Sequence, residues 1–408
     1  MSFTSTTVSL FLADAVHAAP LLIGLYFVVR GIVSIAVNQA TGRLSDRMPD
    51  RRVLVGFAGV AGAIGAGSLA FLHDYVAVLA TGAVFLGLGG ITFAQLYAYT
   101  NELAVARQHP VTMFTSLMRT VFSAAWVIGP PIGLFLLAQF GFRALYLSTA
   151  GASLACALLG RWGLRRLSGA QVGDRARAAG PAGTKPAARD SQRDRQRPRL
   201  PERTRLLLGV VFLLGTVNLV YGINIGLYVT KDLHLGTQFV GWIAGLSALL
   251  EIPVMIAVGR FSDRVGRLRV LLGSAVGAVA FFVLLPLVHT AELLLALMVL
   301  NAAWTGISLC IPMVMVQAEV PGAAGVASSY YSSATTTASL VAGGVAGVSA
   351  AAIGYRGVFW VCAGLAMVAV VLLLVRAWLY GTWRRGAQRS LRAEGTAAAS
   401  EAHPALHA

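Results

Sequence analysis

Charged residues are scarce. They make up 12% of 408 positions, about half the share of an ordinary soluble domain, while 57% of the chain is hydrophobic. Together with a mean hydropathy of +0.74, this excludes a soluble globule. Only three cysteines occur, Cys156, Cys310 and Cys362, each in an apolar stretch without CxxC or Cys/His spacing. A disulfide framework and a thiolate metal centre are thereby excluded. No paired catalytic carboxylates, histidine cluster or nucleophile constellation stands out, so the pattern is not that of an enzyme and calls for no cofactor or metal. The apolar runs are continuous where a barrel strand would alternate, which excludes a membrane β-barrel. The first sixteen residues lack the charged start and small-residue cleavage site of a signal peptide.

What the chain does have is long apolar runs. A spanning helix needs about 20 apolar residues. Eleven such stretches occur, near 20–41, 53–72, 75–97, 111–138, 142–164, 206–230, 238–258, 270–288, 292–315, 325–351 and 356–379, after a shorter opening piece. The net charge is +16, but the basic residues do not form the single solvated face that nucleic-acid binding needs. They mark one side of a membrane instead. Twenty-seven of 32 fall in alternate loops and the tail, three (Arg143, Lys231, Arg356) fall on the opposite side, and Arg30 and Arg119 lie within spans. By the positive-inside rule the rich side, including the C-terminus, is cytoplasmic.

The chain repeats itself once. Gly42-Arg-Leu-Ser-Asp46-Arg47-Met-Pro-Asp-Arg-Arg52 returns as Gly259-Arg-Phe-Ser-Asp263-Arg264-Val-Gly-Arg-Leu-Arg269, 217 residues later with six of eleven positions identical. Gly141-Phe-Arg143 returns as Gly354-Tyr-Arg356 at an offset of 213. The spacing predicts two six-span halves, 1–164 with an incomplete first helix and 206–380. A basic, disordered cytoplasmic linker over 165–205 joins them, and 381–408 forms a cytoplasmic tail. The linker is a solvated tether with a possible attraction to anionic lipid. In the repeated loop, glycine is expected to end a helix. The aspartate suits a helix N-terminus and the arginines suit pairing across the cytoplasmic face. Gly42, Asp46, Arg47, Gly259, Asp263 and Arg264 are therefore candidate gate residues, the alternative being topology-setting charge. The loop resembles the signature between the second and third helices of the major facilitator superfamily, so an all-α major facilitator fold with pseudo-symmetric halves is expected.

Trp126-Val-Ile-Gly129-Pro130-Pro131 resembles the antiporter signature of facilitator-type exporters. Glycine permits close helix contact and the prolines kink the helix; an ordinary packing kink is the other reading. Charges inside the membrane mark a pathway or a partner. Glu251 lies eight residues before Gly259 and Arg119 eight after Val111, each about 12 Å deep at the helical rise. The facilitator resemblance puts their spans opposite one another, making Arg119–Glu251 a candidate ion pair, either proton-coupling or permanently structural. Arg30 has no depth-matched acid; Asp14 is conceivable but lies near the outer surface. Gln95, Tyr97, Asn218, Tyr221, Asn224, Asn301 and Gln317, with Trp126, Trp242 and Trp304, suit a neutral polyol. Individually each also reads as helix–helix glue.

Thr7–Leu12, Ile23–Tyr26, Met113–Arg119 through Pro131, Leu250-Glu-Ile-Pro253, Leu300-Asn301 and Gln317 with Pro321-Gly322 resemble the bacterial sugar efflux transporter family. The similarity spans nearly the whole chain apart from the linker and tail. It implies export of sugars or glycosides across the inner membrane, by exchange with protons, from a site near the bilayer midplane. It also implies no partner beyond the sugar, protons and lipid, with a monomer sufficient. Two positions depart from the pattern: Arg30 stands where a neutral polar residue is expected, and Ser332-Ser333 replaces Thr-Asn. Thr7–Leu12 matches the outer end of the family's first helix, so upstream sequence is expected to complete that span. A drug or natural-product exporter of the same fold, and a non-transporting membrane receptor, remain as alternatives.

Overall fold

Apolar stretches of spanning length, apolar on all faces, form helices whose backbone bonds are satisfied internally. The computed structural model describes residues 2–45, 52–89, 111–167, 201–320 and 324–380, and among them there is no strand. The helices are α1 (Ser2–Asp14), α2 (Pro20–Ser45), α3 (Arg52–Phe71) and α4 (Tyr75–Gly89). One continuous helix, Val111–Leu167, is broken only at Gly141 and supplies α5 (111–140) and α6 (142–167). Then come α7 (Glu202–Asp232, its last turn a π-helix), α8 (Thr237–Val265), α9 (Arg267–Leu287) and α10 (Ala291–Glu319). A second long helix, Ala324–Leu379, is broken at Gly354 into α11 (324–353) and α12 (355–379). Eight described stretches are long and apolar enough to cross a membrane, and side chains such as Leu21, Phe57, Phe135, Val299 and Trp378 face outward, as lipid contact requires. The chain is a multi-pass membrane protein.

The internal repeat is visible in the backbone. Gly141 (φ 75°) and Gly354 (φ 72°) each break a long helix in the left-handed region where a Cβ is strained. His17 (φ 54°) and His234 (φ 55°), 217 residues apart, adopt the same unusual conformation after α1 and α7.

The residues sort into two packing units. The first holds Met1–Arg199, Leu219–Gly245 and Ser339–Val358; the second holds Leu200–Asn218, Leu246–Ala338 and Phe359–Ala408. In the first unit α3 lies close to both α6 and α4: a Cβ on Gly59 would stand 2.7 Å from the Ala157 Cβ, and one on Gly65 would stand 2.8 Å from the Leu86 nitrogen. Phe11 packs edge-on against Phe142 and Tyr146, and the Tyr146 hydroxyl donates to the Thr7 carbonyl at 3.3 Å. In the second unit α9 and α10 enclose Phe281, Phe282 and Trp304, and Ser274 donates to the Trp304 carbonyl at 2.9 Å. Where α7, α10 and α12 meet, Arg376 pairs with Glu319, which also accepts from Thr204 Oγ1 at 2.7 Å.

Candidate functional site

Helices α8 and α10 run side by side in the second unit with a constant offset of 54 residues. Asn301 Nδ2 donates to Ser247 Oγ at 2.8 Å, and one turn on, Thr305 Oγ1 donates to Glu251 Oε1 at 2.8 Å. Residues four apart share a helix face, so two i,i+4 pairs meet as a four-membered polar strip. Gly306 makes room for it: a Cβ there would lie 3.2 Å from Val254 Cγ1 and 3.6 Å from the Glu251 carbonyl. The Ser247 hydroxyl, one turn before Glu251 on the same helix, lies near enough to interact with its carboxyl. Asn301, Thr305 and Ser247 are buried and Glu251 is half-buried. Among the described residues Glu251 has no cationic partner, and the buried Asn301 Oδ1 and Trp304 Nε1 have no hydrogen-bond partner. Within the described residues the hydrogen-bond donor that holds this acid inside its span is a neutral hydroxyl.

The first unit arranges its polar groups differently. Asp14 Oδ1 lies 2.5 Å from Lys231 Nζ, joining the end of α1 to the end of α7 at positions 217 apart. Asp232 Oδ2 accepts the Arg356 amide at 3.0 Å at the start of α12, where helix dipole and carboxylate attract. The Arg143 guanidinium sits 4.9 Å from the Phe71 ring centroid. All three basic residues assigned to the sparse side thus have a partner in this unit. Nearby α2 and α11 touch backbone to backbone: a Cβ on Gly24 would stand 2.5 Å from the Gly347 Cα. Thr6 Oγ1 donates to the Gly222 carbonyl at 2.6 Å. Asp14 is thus given to Lys231 and not to Arg30, which is half-buried on α2.

A family model for the Major Facilitator Superfamily matches residues 1–218 and, a second time, residues 206–404. The chain belongs to the Major Facilitator Superfamily. Curated facilitators similar to it include sugar efflux transporter B of Salmonella typhimurium, 33% identical over 91% of this chain and 90% of that protein. Sugar efflux transporter C of Escherichia coli is 30% identical over 90% of each chain, and sugar efflux transporter A of Dickeya chrysanthemi is 32% identical over 91% and 90%. Among solved structures, a nucleoside transporter superposes with a TM-score of 0.74 at 15% identity, covering 92% of this chain and 95% of that one. A D-xylose-proton symporter superposes with 0.66 at 17%, covering 91% and 92%. These similarities, together with the all-helical spans, make the protein a transporter of facilitator fold and not an enzyme.

The structure brings together some of the residues expected to form the facilitator's site. Glu251 and Asn301 belong to one strip, whereas Asn224, buried on α7, turns its amide back to the Val220 carbonyl at 3.0 Å. Asn218, Tyr221 and Gln317 are half-buried on α7 and α10. Trp304 is buried, while Trp242 points outward, 66% exposed. Gln95 and Tyr97 lie outside the described residues, as do the side chains of Arg119 and Trp126, and with them the pair expected between Arg119 and Glu251. The helix runs on through Gly129, Pro130 and Pro131, and its only non-helical backbone is at Gly141. Among the described residues nothing lies within 4 Å of a Cβ built on Gly129.

Two gate expectations are corrected. Gly42 and Gly259 do not end their helices; α2 continues to Ser45 and α8 to Val265. Glycine is at home inside a membrane helix, and the turn is made by Gly266 at φ 98°. Asp263 caps no helix; its Oδ1 accepts from Arg267 Nε at 2.8 Å across that turn, and Arg264 is exposed near the Phe261 ring. Asp46 and Arg47 lie outside the described residues. Ser247 and Thr305 are the polar groups that the sequence does not single out. Their signal is the repeated i,i+4 spacing of a small hydroxyl with an acid or an amide.

Proposed function

We propose that the protein exports sugars or glycosides across the bacterial inner membrane in exchange for protons, with its linker and C-terminus in the cytoplasm and one chain sufficient. Two six-helix halves, 1–164 and 206–380, rock against each other about a midplane site, and the Gly42–Arg47 and Gly259–Arg264 segments gate the cytoplasmic side. The observation that carries the reading is Glu251: an acid inside a membrane span, held among the described residues by a hydroxyl donor, in a chain whose curated relatives are named sugar efflux transporters. Neutral amides, hydroxyls and indoles supply paired donors and acceptors suited to a polyol. Arg30, Gln95, Tyr97, Trp126, Asn218, Tyr221, Asn224, Asn301 and Gln317 are the candidate contacts. Glu251 carries the proton, and Arg119 is its candidate partner in the deprotonated state. Gly129, Pro130 and Pro131 shape the helix between them.

The test is efflux of labelled mono- and disaccharides from loaded vesicles under an imposed pH gradient, with labelled cationic drugs as competing cargo. Wild-type protein accelerates sugar efflux when protons flow inward. Glu251→Gln abolishes the acceleration by the gradient and spares gradient-independent exchange of labelled for unlabelled sugar. Gradient-driven efflux undiminished in Glu251→Gln would remove the proton assignment, and drug movement without sugar movement would replace the cargo.

A further inference from the structure

We infer that Thr305 is the positioning residue that holds Glu251 in both of its protonation states; this rests on Glu251 being the proton carrier. The Thr305 hydroxyl has one hydrogen and two close acceptors: Glu251 Oε1 at 2.8 Å on α8 and the Asn301 carbonyl at 2.7 Å, one turn back on its own helix, with the Ala302 carbonyl farther off at 3.4 Å. With Glu251 ionised, the hydrogen points at Oε1 and forms a charge-assisted bond. When a proton lands on Oε1, the carboxylic acid becomes a donor and Thr305 Oγ1 accepts from it. The threonine hydrogen then turns to the Asn301 carbonyl, the back-bond a helical threonine makes readily. One proton is gained by Glu251, none is lost by Thr305, and the only other motion is rotation about the Thr305 C–O bond.

Ser247 plays a different part. It accepts the Asn301 amide at 2.8 Å, which leaves its own hydrogen available to the nearby Glu251 carboxyl. Thr305 is the member that reverses. Thr305, Asn301 and Ser247 are buried, which limits the access of water to the strip. Among the described residues the titratable groups on this side of Glu251 are the Cys310 thiol on α10 and, beyond it, the Tyr331 hydroxyl on α11. Among the described residues neither Lys, Arg nor His pairs with the carboxyl.

The role is testable without knowing the cargo. In full-length protein in lipid, protonation of Glu251 is followed as the infrared carbonyl band of a carboxylic acid that Glu251→Gln deletes. Thr305→Val, which keeps the shape, is expected to move the midpoint of that band alkaline by about one pH unit, a tenfold change in proton affinity, because the carboxylate loses a donor. It also shifts the band frequency, since the acid loses its acceptor. Thr305→Ser restores both, and Thr305→Val adds nothing to the pH profile of efflux in a Glu251→Gln background. Thr305→Ala serves as the second variant where the valine protein does not fold. A wild-type midpoint and frequency in folded Thr305→Val or Thr305→Ala overturns the role while leaving the carrier intact. If Glu251→Gln deletes no titrating band, the carrier itself falls.

Discussion

Each unit contains an ion pair between residues far apart in the sequence, and the two differ in what surrounds them. Asp14–Lys231 in the first unit joins two helix ends with side chains 29% and 46% exposed. Glu319–Arg376 in the second is 11% and 6% exposed. There Thr204 Oγ1 donates to the same glutamate and Arg376 Nε donates to the Arg203 carbonyl at 3.2 Å. Water screens the first pair, so making or breaking it changes little. The second needs every one of its supporting bonds, because a buried charge left alone is strongly unfavourable. Glu251 stands apart from both as an acid with donors and no paired cation among the described residues. Charges that are paired hold helices together, whereas Glu251 is held by a neutral hydroxyl.

This contrast can be broken in three places. The largest loss is expected from Glu319→Gln, which strands Arg376 inside the second unit: about 3–5 kcal/mol, the usual cost of breaking a buried pair, read as a large drop in melting temperature in detergent. A melting temperature within a degree of wild type would mean that water reaches Arg376. Next comes Gly24→Val, whose side chain has no space against Gly347; overpacking of this kind costs about 1–3 kcal/mol. Cysteine accessibility along α2 and α11 should rise in that variant, and an unaltered labelling pattern would show that the seam tolerates bulk. The smallest effect belongs to Lys231→Ala, about 0.2–1 kcal/mol and shrinking with added salt. A double-mutant cycle with Asp14→Ala measures it, and a coupling as large as the Glu319 effect would erase the distinction between the two pairs.

Much of the fold is legible in the sequence because a bilayer imposes one length on every span. The Gly-aromatic-Arg echo also marks the two places where a glycine turns the chain, Gly141 and Gly354. Helix ends at the arginine-rich loop are less legible. A motif glycine resembles a terminator, but glycine is tolerated within a helix, and the chain runs past Gly259 until Gly266 takes a positive φ. The site is legible only in its rare members. Glu251 stands out because a charge in a span is unusual. Thr305 does not, because most serines and threonines here bond their own helix, as Thr216 does with Phe212 and Thr230 with Gly226. Lys231 is read from the sequence as a topology marker, and only the folded chain reveals that it pairs with its repeat-related counterpart, Asp14.

The glycine breaks have one more consequence. Successive Cα atoms are about 3.8 Å apart, and in each repeat a single residue connects two long helical arms. Such a joint contains no slack. If α5 slides along its axis the start of α6 is dragged with it, and the same holds for α11 and α12, so each couple behaves as one jointed lever. Lengthening that joint by a few flexible residues would add a freedom the chain does not now possess.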